Sequence, residues 1–176
     1  ATSNTATVTL AISGVNDAPI AQNVTATTNE DVQKAITLLA TDADANALTY
    51  SIITQSTKGA VVLVGSTATY TPSLNYFGSD SFTYSANDGT VSSNIATVGI
   101  TVVSQNDVPT VAAVSITTNE DAPVSIPLVG SDVEGDALTF AIVASPAHGL
   151  LVLSGSTVTY TPTANYVGTD SFTYTA

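Results

Sequence analysis

The residues of this chain with the most chemistry to offer are its 14 carboxylates, and their spacing is not random. Asp42-Ala43-Asp44 returns as Asp132-Val133-Glu134, with Asp136 two residues further on. Asn16-Asp17 returns as Asn106-Asp107, Glu30-Asp31 as Glu120-Asp121, and Asp80 as Asp170, while Asp88 stands in Asn87-Asp88-Gly89. Carboxylates gathered at short spacing repel one another unless a cation neutralises them. A hard divalent cation that takes six to eight oxygens from carboxylates, Asn side chains and backbone carbonyls suits such a set, and Ca²⁺ is that cation.

Other chemistries find less material. There is no Cys, so thiol nucleophiles, thiolate-bound zinc and disulfides are ruled out. The one His, His148, precedes a Gly at a position where the first half of the chain has Lys58, which suits a structural role at a turn. Any Ser-His-Asp scheme would rest on that residue alone. Asp42 and Asp44 lie two apart on one loop rather than facing each other across a cleft, unlike a glycosidase pair. No catalytic residue is assigned, and the expectation is that the chain is not an enzyme. Against 14 acids there are only two basic residues, Lys34 and Lys58, and the formal charge is -12. No basic patch exists to hold phosphates, which excludes nucleic acid and argues against anionic membrane surfaces. No apolar run reaches the length of a membrane-spanning helix, so no membrane insertion is expected.

The elements that position the acids follow from an internal repeat. Thr27-Thr28-Asn29-Glu30-Asp31, Tyr70-Thr71-Pro72 and Asp80-Ser81-Phe82-Thr83-Tyr84 all recur 90 positions later. Residues 1–86 align with 91–176 without a gap, and about 40 of the 86 pairs are identical. The dominance of Thr, Ser, Val, Ala and Ile favours strands. One period contains seven strand-like runs separated by turn residues: 20–27, 35–40, 47–54, 60–64, 67–71, 80–85 and 93–103. In the last run Ala96, Val98, Ile100 and Val102 share one face, the mark of a half-buried antiparallel strand. Seven strands in about 90 residues read as an immunoglobulin-like sandwich. The fold class is therefore all-β, as tandem immunoglobulin-like antiparallel β-sandwiches. Tyr76 is read as a corner residue between the fifth and sixth strands, and Tyr70, Phe82 and Tyr84 as core.

In such a sandwich the loops after the second, fourth and sixth strands share one end, and the others share the opposite end with the exit linker. Asp42, Asp44, Asp88, Asp132, Glu134 and Asp136 fall at the first end. Glu30, Asp31, Asp80, Glu120, Asp121 and Asp170 fall at the second, and Asp17 and Asp107 lie in linkers. No acid is expected within the body of a strand. The junction inside the chain would gather Glu30, Asp31, Asp80, Asn106, Asp107, Asp132, Glu134 and Asp136. That is seven negative charges, enough for roughly two or three Ca²⁺. The alternative for Asp31, Asp121 and Asp80 is plain turn and cap chemistry, which Asp also serves.

Val15-Asn16-Asp17-Ala18-Pro19, Thr28-Asn29-Glu30-Asp31, Asp42-Ala43-Asp44 leading into Leu48-Thr49-Tyr50-Ser51-Ile52, and the run from Asn75 to Tyr84 carry a resemblance. The chain resembles the cadherin-like tandem repeats of large bacterial calcium-dependent adhesins and exoproteins, over essentially its whole length and twice. The resemblance implies interdomain calcium shared by an acid such as Glu30, an Asn-Asp linker such as Asn106-Asp107, an Asp132-x-Glu134 pair and an Asp of the sixth-to-seventh-strand loop; in the first repeat that last Asp is Asp88, and the junction inside the chain lacks its counterpart. Glu134 stands where the family has a second Asp, and Asp80 matches the family's further acid only loosely. It also implies an extracellular location, secreted or attached to a cell surface, and a part in adhesion or biofilm.

The domain reading is 1–13 as a seventh-type strand belonging or donated to a preceding sandwich, 14–104 as a complete repeat, and 105–176 as a repeat lacking its seventh strand. Residues 5–12 carry the seventh-strand pattern, with Ala6, Val8, Leu10 and Ile12 on one face. Copies of the chain are therefore expected head to tail through residues 5–12, by donor-strand complementation into a filament. The rival is an uninterrupted longer chain of which these residues are one two-repeat window, and the start without Met reads as a processed piece or an excised window of a longer precursor. The favoured function is a structural extension module stiffened by calcium. The alternative is a glycan-binding accessory module that meets a cell-surface or matrix polysaccharide.

Overall fold

A computed structural model describes residues 1–176, all of it β-strand, turn and extended chain. The chain forms two compact units, residues 1–104 and 105–176.

The first unit holds nine strands: β1 (Ile20–Ala21), β2 (Val24–Asn29), β3 (Lys34–Thr37), β4 (Ala40–Thr41), β5 (Thr49–Thr54), β6 (Gly59–Val64), β7 (Thr67–Pro72), β8 (Gly78–Asn87) and β9 (Ala96–Val103). A four-stranded sheet in the order β2-β9-β8-β5 faces a three-stranded sheet in the order β3-β7-β6, and β1 pairs with β4. The seam between them is filled by Leu38, Tyr70, Phe82, Tyr84 and Val98, none of them more than 1% exposed. Ala96, Val98, Ile100 and Val102 of β9 are all buried, as their alternation requires. This is the immunoglobulin-like sandwich expected from the strand count.

Two features depart from the sequence reading. The first run is not one strand. It breaks at Gln22-Asn23, so that β1 joins β4 while β2 crosses to the other sheet and pairs with β9 in parallel. The second run breaks in the same way, between β3 and β4. One hydroxyl holds both breaks, because the carbonyls of Gln22 and Leu39 share the single proton of Tyr84, whose oxygen accepts from the Leu39 amide. Asn23 supports the crossing by accepting from the Thr97 amide. Propensity along a single run carries no information about a buried hydroxyl sixty residues away. The second departure is Asp80, which lies inside β8 and is buried rather than at a loop tip.

The second unit repeats this plan with β10 (Thr110–Ala112), β11 (Val124–Pro127), β12 (Val129–Ser131), β13 (Ala141–Ala144), β14 (Gly149–Ser154), β15 (Thr157–Pro162) and β16 (Thr173–Thr175). The order β11-β15-β14 reproduces the three-stranded sheet, and β10 pairs with β12. Of the other sheet only β13 and β16 pair. Residues 113–119 and 168–172, the counterparts of β2 and the start of β8, form no strand. Tyr160, Phe172 and Tyr174 are half-buried, whereas Tyr70, Phe82 and Tyr84 are sealed.

Both units use one Gly-Tyr packing. A Cβ on Gly59 would sit 2.6 Å from the Tyr70 ring, and one on Gly149 would sit 2.2 Å from the Tyr160 ring. Any side chain there would have to displace a buried ring or the backbone of the next strand, which explains the Gly at both turns. Beside it, His148 stacks on Tyr166 with centroids 4.1 Å apart, and the Lys58 ammonium lies 5.9 Å from the Tyr76 ring centroid. The two side chains serve one purpose, which accounts for their exchange between repeats. Tyr76 donates to the carbonyl of Ser79 at 2.6 Å and Tyr166 to that of Thr169 at 2.8 Å, fixing the bend before the sixth strand of each sandwich.

Candidate metal-binding ends of the repeats

At the entrance of the first unit three segments meet: the linker 16–19, the loop 42–46 and the loop 87–91. Asp42 organises its own loop, because its Oδ1 accepts from the amides of Asp44 and Asn46, both at 3.0 Å. Ala45 takes a left-handed conformation (φ 59°) to close that turn, and Gly135 does so (φ 81°) in the second unit, where no Cβ opposes it. Asp44 reaches the linker, its Oδ2 accepting from the Asp17 amide at 2.8 Å. Asn16 bridges the other two segments. Its Nδ2 donates to Asp88 Oδ2 at 2.7 Å, and its Oδ1 accepts from Asn46 Nδ2 at 2.9 Å. Asp17, Asp42, Asp44 and Asp88 are thereby tied to one polar constellation.

The second unit builds the same entrance. Asp132 Oδ1 accepts from the amides of Glu134 and Asp136 at 3.1 and 3.0 Å. Glu134 Oε2 accepts from the Asp107 amide at 3.0 Å, so the longer side chain makes the linker contact that Asp44 makes in the first unit. Asn106 Nδ2 donates to the Asp107 carbonyl at 3.1 Å.

In both entrances one oxygen of a carboxylate is engaged while its sister is buried and meets no donor. Asp42 Oδ2 in the first entrance and Glu134 Oε1 in the second are such atoms, on the first acid of the loop in one repeat and on the second acid in the other. A buried carboxylate oxygen without a partner is costly unless something positive meets it. The two lysines do not supply the charge: Lys34 lies on β3 and Lys58 over Tyr76. Hard oxygens, several negative charges and a preset backbone are the donor set that Ca²⁺ takes, so these residues fit that ion.

The remaining acids are used differently. Asp80 is saturated by protein donors: Oδ1 accepts from the amides of Thr57 and Ser81, and Oδ2 from the Lys58 amide and the Tyr70 hydroxyl. Burial and the Asp80 carboxylate together push the Tyr70 phenol well above its ordinary range. Asp170 repeats the arrangement with Ala147, His148, Tyr160 and Ser171. Burial alone would raise its carboxyl, but the amides of His148 and Ala147 and the Tyr160 hydroxyl outweigh it and hold it below the usual range. Four donors fill the lone pairs of a carboxylate, so protein groups alone satisfy Asp80 and Asp170, which buttress the fold. Asp31 and Asp121 adopt left-handed turns (φ 57° and 61°) and accept from the amides of Asn75 and Asn165. That is the turn chemistry left open for them. Glu30 is buried, and its amide donates to the Val103 carbonyl at the end of β9, whereas Glu120 is exposed. Asn46 was missed by reading acids alone. Its signal was positional, since Asp136 occupies the same place in the second repeat.

Asp88 gives the entrance a pH signature. The Asn16 side chain, with the amides of Val91 and Thr90, lowers its carboxyl from 3.8 to about 2. A depressed carboxylate contributes stability above its unfolded value and loses it as pH falls through the folded one. In metal-free protein the Asp88 carboxyl followed by NMR should therefore titrate near pH 2, and the loop 87–91 should loosen only below about pH 4. A midpoint near 3.8 would show that the Asn16 bridge does not form in solution.

The family model described as bacterial Ig domain matches residues 16–101 and again 106–176. Integrin beta-like protein A of Dictyostelium discoideum is 30% identical over 195 residues, covering 96% of this chain and 10% of that protein. Integrin beta-like protein E of the same organism is 32% identical over 155 residues, covering 76% of this chain and 8% of that protein. The chain thus spans about a tenth or less of these relatives' length. Among solved structures, Protocadherin Gamma B2 extracellular cadherin domains 1-5 superpose with a TM-score of 0.55 at 20% identity, over 84% of this chain and 33% of that one. Human CDH23 EC21-23 gives 0.52 at 14% identity, over 85% and 60%. At such identities the likeness is one of fold, and it bears out the cadherin-like, immunoglobulin-like reading. Domains of these kinds are typically non-catalytic and extracellular or surface-exposed. No helix of the chain is long and apolar enough to cross a membrane. With the match repeated on both units, the chain belongs to the bacterial Ig domain family, in two consecutive copies.

Proposed function

We propose that the chain is a structural extension module of an extracellular surface protein, and that Ca²⁺ held at the entrance of each repeat clamps the linker to the sandwich that follows it. The observation that carries this reading is the recurrence, in both units, of a loop acid that accepts from the linker Asp amide, with a buried carboxylate oxygen that meets no donor in each of the two loops, on Asp42 in the first and on Glu134 in the second. Asn16, Asp17, Asp42, Asp44 and Asp88 would hold the ion in the first repeat, and Asn106, Asp107, Asp132, Glu134 and Asp136 in the second. Asp80 and Asp170 are left out of the set, because protein donors already fill them. When bound, the ion supplies positive charge to carboxylates that otherwise repel, and so fixes the linker 16–19 or 106–109 against its own loop. Stiffness of that kind serves a stalk, not a catalyst. The aromatic residues also favour a stalk over a glycan platform, since Tyr70, Phe82 and Tyr84 are sealed in the core and Phe77 is an isolated exposed ring.

Calorimetric titration of chelator-treated protein with CaCl₂ tests the reading. Binding should saturate at one or more ions per repeat, and small-angle scattering should show a narrower spread of particle lengths in calcium than in chelator. No heat of binding, with scattering curves that superpose in the two conditions, would end it.

A further inference from the structure

In the first repeat the segment that enters the sandwich and the strand that leaves it lie side by side and point the same way. The chain enters through the linker 16–19 and leaves past the end of β9 at Ser104. β2 runs parallel to β9, from Val24 beside Val98 to Asn29 beside Val103. Tension on the linker draws β2 toward the entrance, while tension on residue 104 draws β9 the opposite way. The two strands are thus loaded along their length, and the evenly spaced bonds of a parallel ladder share that load. A ladder pulled apart from one end would instead open bond by bond. β2 is also the edge strand of its sheet, so β9 is its one ladder partner and the whole load falls on that pairing.

Side chains carry the same grip beyond both ends of the ladder. Upstream, Asn23 Oδ1 accepts from the Thr97 amide at 2.8 Å. Asn94 treats Ala21 as a neighbouring strand would: its Oδ1 accepts from the Ala21 amide at 2.9 Å, and its Nδ2 donates to the Ala21 carbonyl at 3.0 Å. The Tyr84 hydroxyl donates to the Gln22 carbonyl between them. Downstream, the Glu30 amide donates to the Val103 carbonyl at 2.9 Å. The hold is therefore continuous from Ala21 to Glu30. Residues 20–23, where the chain crosses from one sheet to the other, are where tension arriving from the linker would first work it loose. Asn23, Tyr84 and Asn94 converge on that crossing.

We infer that the first repeat is built to bear tension along the chain, with the parallel β2–β9 ladder as the element that resists it and Asn94 as the latch ahead of the ladder. Force entering through the linker meets the two Asn94 bonds to Ala21 before it reaches Val24. This deepens the extension-module reading and rests on it for its use in the protein. Its physical basis is separate, because the groups that grip are backbone amides and carbonyls, two asparagine side chains and a tyrosine hydroxyl, none of which needs an ion. Measured in chelator, the tension-bearing ladder can fail while calcium binding stands, or hold while calcium binding fails.

The chain has no Cys, so a pair of Cys handles fixes where force is applied. In Val15→Cys/Val108→Cys, both exposed sites, the handles span the first repeat and load β2 against β9 lengthwise. In Val15→Cys/Ile95→Cys, again exposed sites, they pull apart the neighbouring starts of β2 and β9 and peel the ladder from Val24. Urea unfolding should show the two variants equally stable, so that only the direction of force differs. In optical-tweezers records of the full chain in chelator, at one loading rate, the lengthwise pair should unfold at about twice the force of the peeling pair or more. Adding Asn94→Ala to the lengthwise pair should raise the unfolding rate at constant force about tenfold, since two hydrogen bonds go. Val61→Ala, a buried change on β6 in the other sheet, should lower the urea midpoint and leave that rate much nearer the parent's. Equal forces for the two handle pairs would overturn the inference, and so would an Asn94→Ala variant that unfolds under load no faster than Val61→Ala.

Discussion

Asp132→Asn should leave the melting temperature in chelator almost unchanged and remove most of the rise that calcium produces in the second unit. The amide oxygen of Asn still accepts from the backbone of residues 134 and 136, as Asp132 Oδ1 does, so the loop keeps its turn. What is lost is a negative charge and a ligand oxygen, which matter only when the ion is present. A ligand at about a hundredfold its dissociation constant stabilises the folded state by about 2.7 kcal/mol. In a domain of this size each kcal/mol moves the midpoint by about 4–8 °C, so the calcium-dependent rise is of order 10–20 °C. Asp42→Asn should act in the same way on the first unit, where Asp42 Oδ1 is the turn acceptor and Oδ2 the buried oxygen without a donor. Thermal scans of parent and variants, each with excess CaCl₂ and with excess chelator, make the comparison. Equal losses in the two conditions would reduce both residues to turn formers.

Asp80→Ala should behave in the opposite manner, with a large loss that calcium neither deepens nor relieves. Removing this carboxylate strands the amides of Thr57, Lys58 and Ser81 and the hydroxyl of the buried Tyr70. A buried donor left without its partner costs about 1–3 kcal/mol, and water reaching the edge of the site offsets part of the sum, so the expected loss is about 3–5 kcal/mol. Urea unfolding followed by tyrosine fluorescence would read it, in calcium and in chelator. A loss under about 1 kcal/mol would mean the amides find other acceptors. A loss present only in calcium would return Asp80 to the metal set. The pair of experiments separates two acids that look alike in the sequence, since both sit beside turns and neither has a cationic partner.

Much of the molecule is determined by local sequence. The 90-residue duplication, the seven runs and the alternation of β9 are legible because strand periodicity and turn residues act over a few positions at a time. The placement of Asp42, Asp44 and Asp88 in loops follows from the same punctuation, whereas Asp80 lies inside β8. Asp42 with Asp44, and Asp132 with Glu134, were legible as paired carboxylates because each pair sits two residues apart on one loop. Tertiary structure decided what each carboxylate does. Asp80 and Asp42 differ only in what folds over them: a tyrosine hydroxyl and three amides in one case, two amides and an empty lone-pair direction in the other. Tertiary structure also decided that the first strand changes sheets, because the hydroxyl of Tyr84 holds Gln22 and Leu39 from the far side of the core. And it decided which rings are sealed. Tyr70 is sealed because Ala96, Val98, Ile100 and Val102 of β9, about thirty residues away along the chain, join its buried cluster, and burial belongs to the sheets that close over a residue and not to the residue itself.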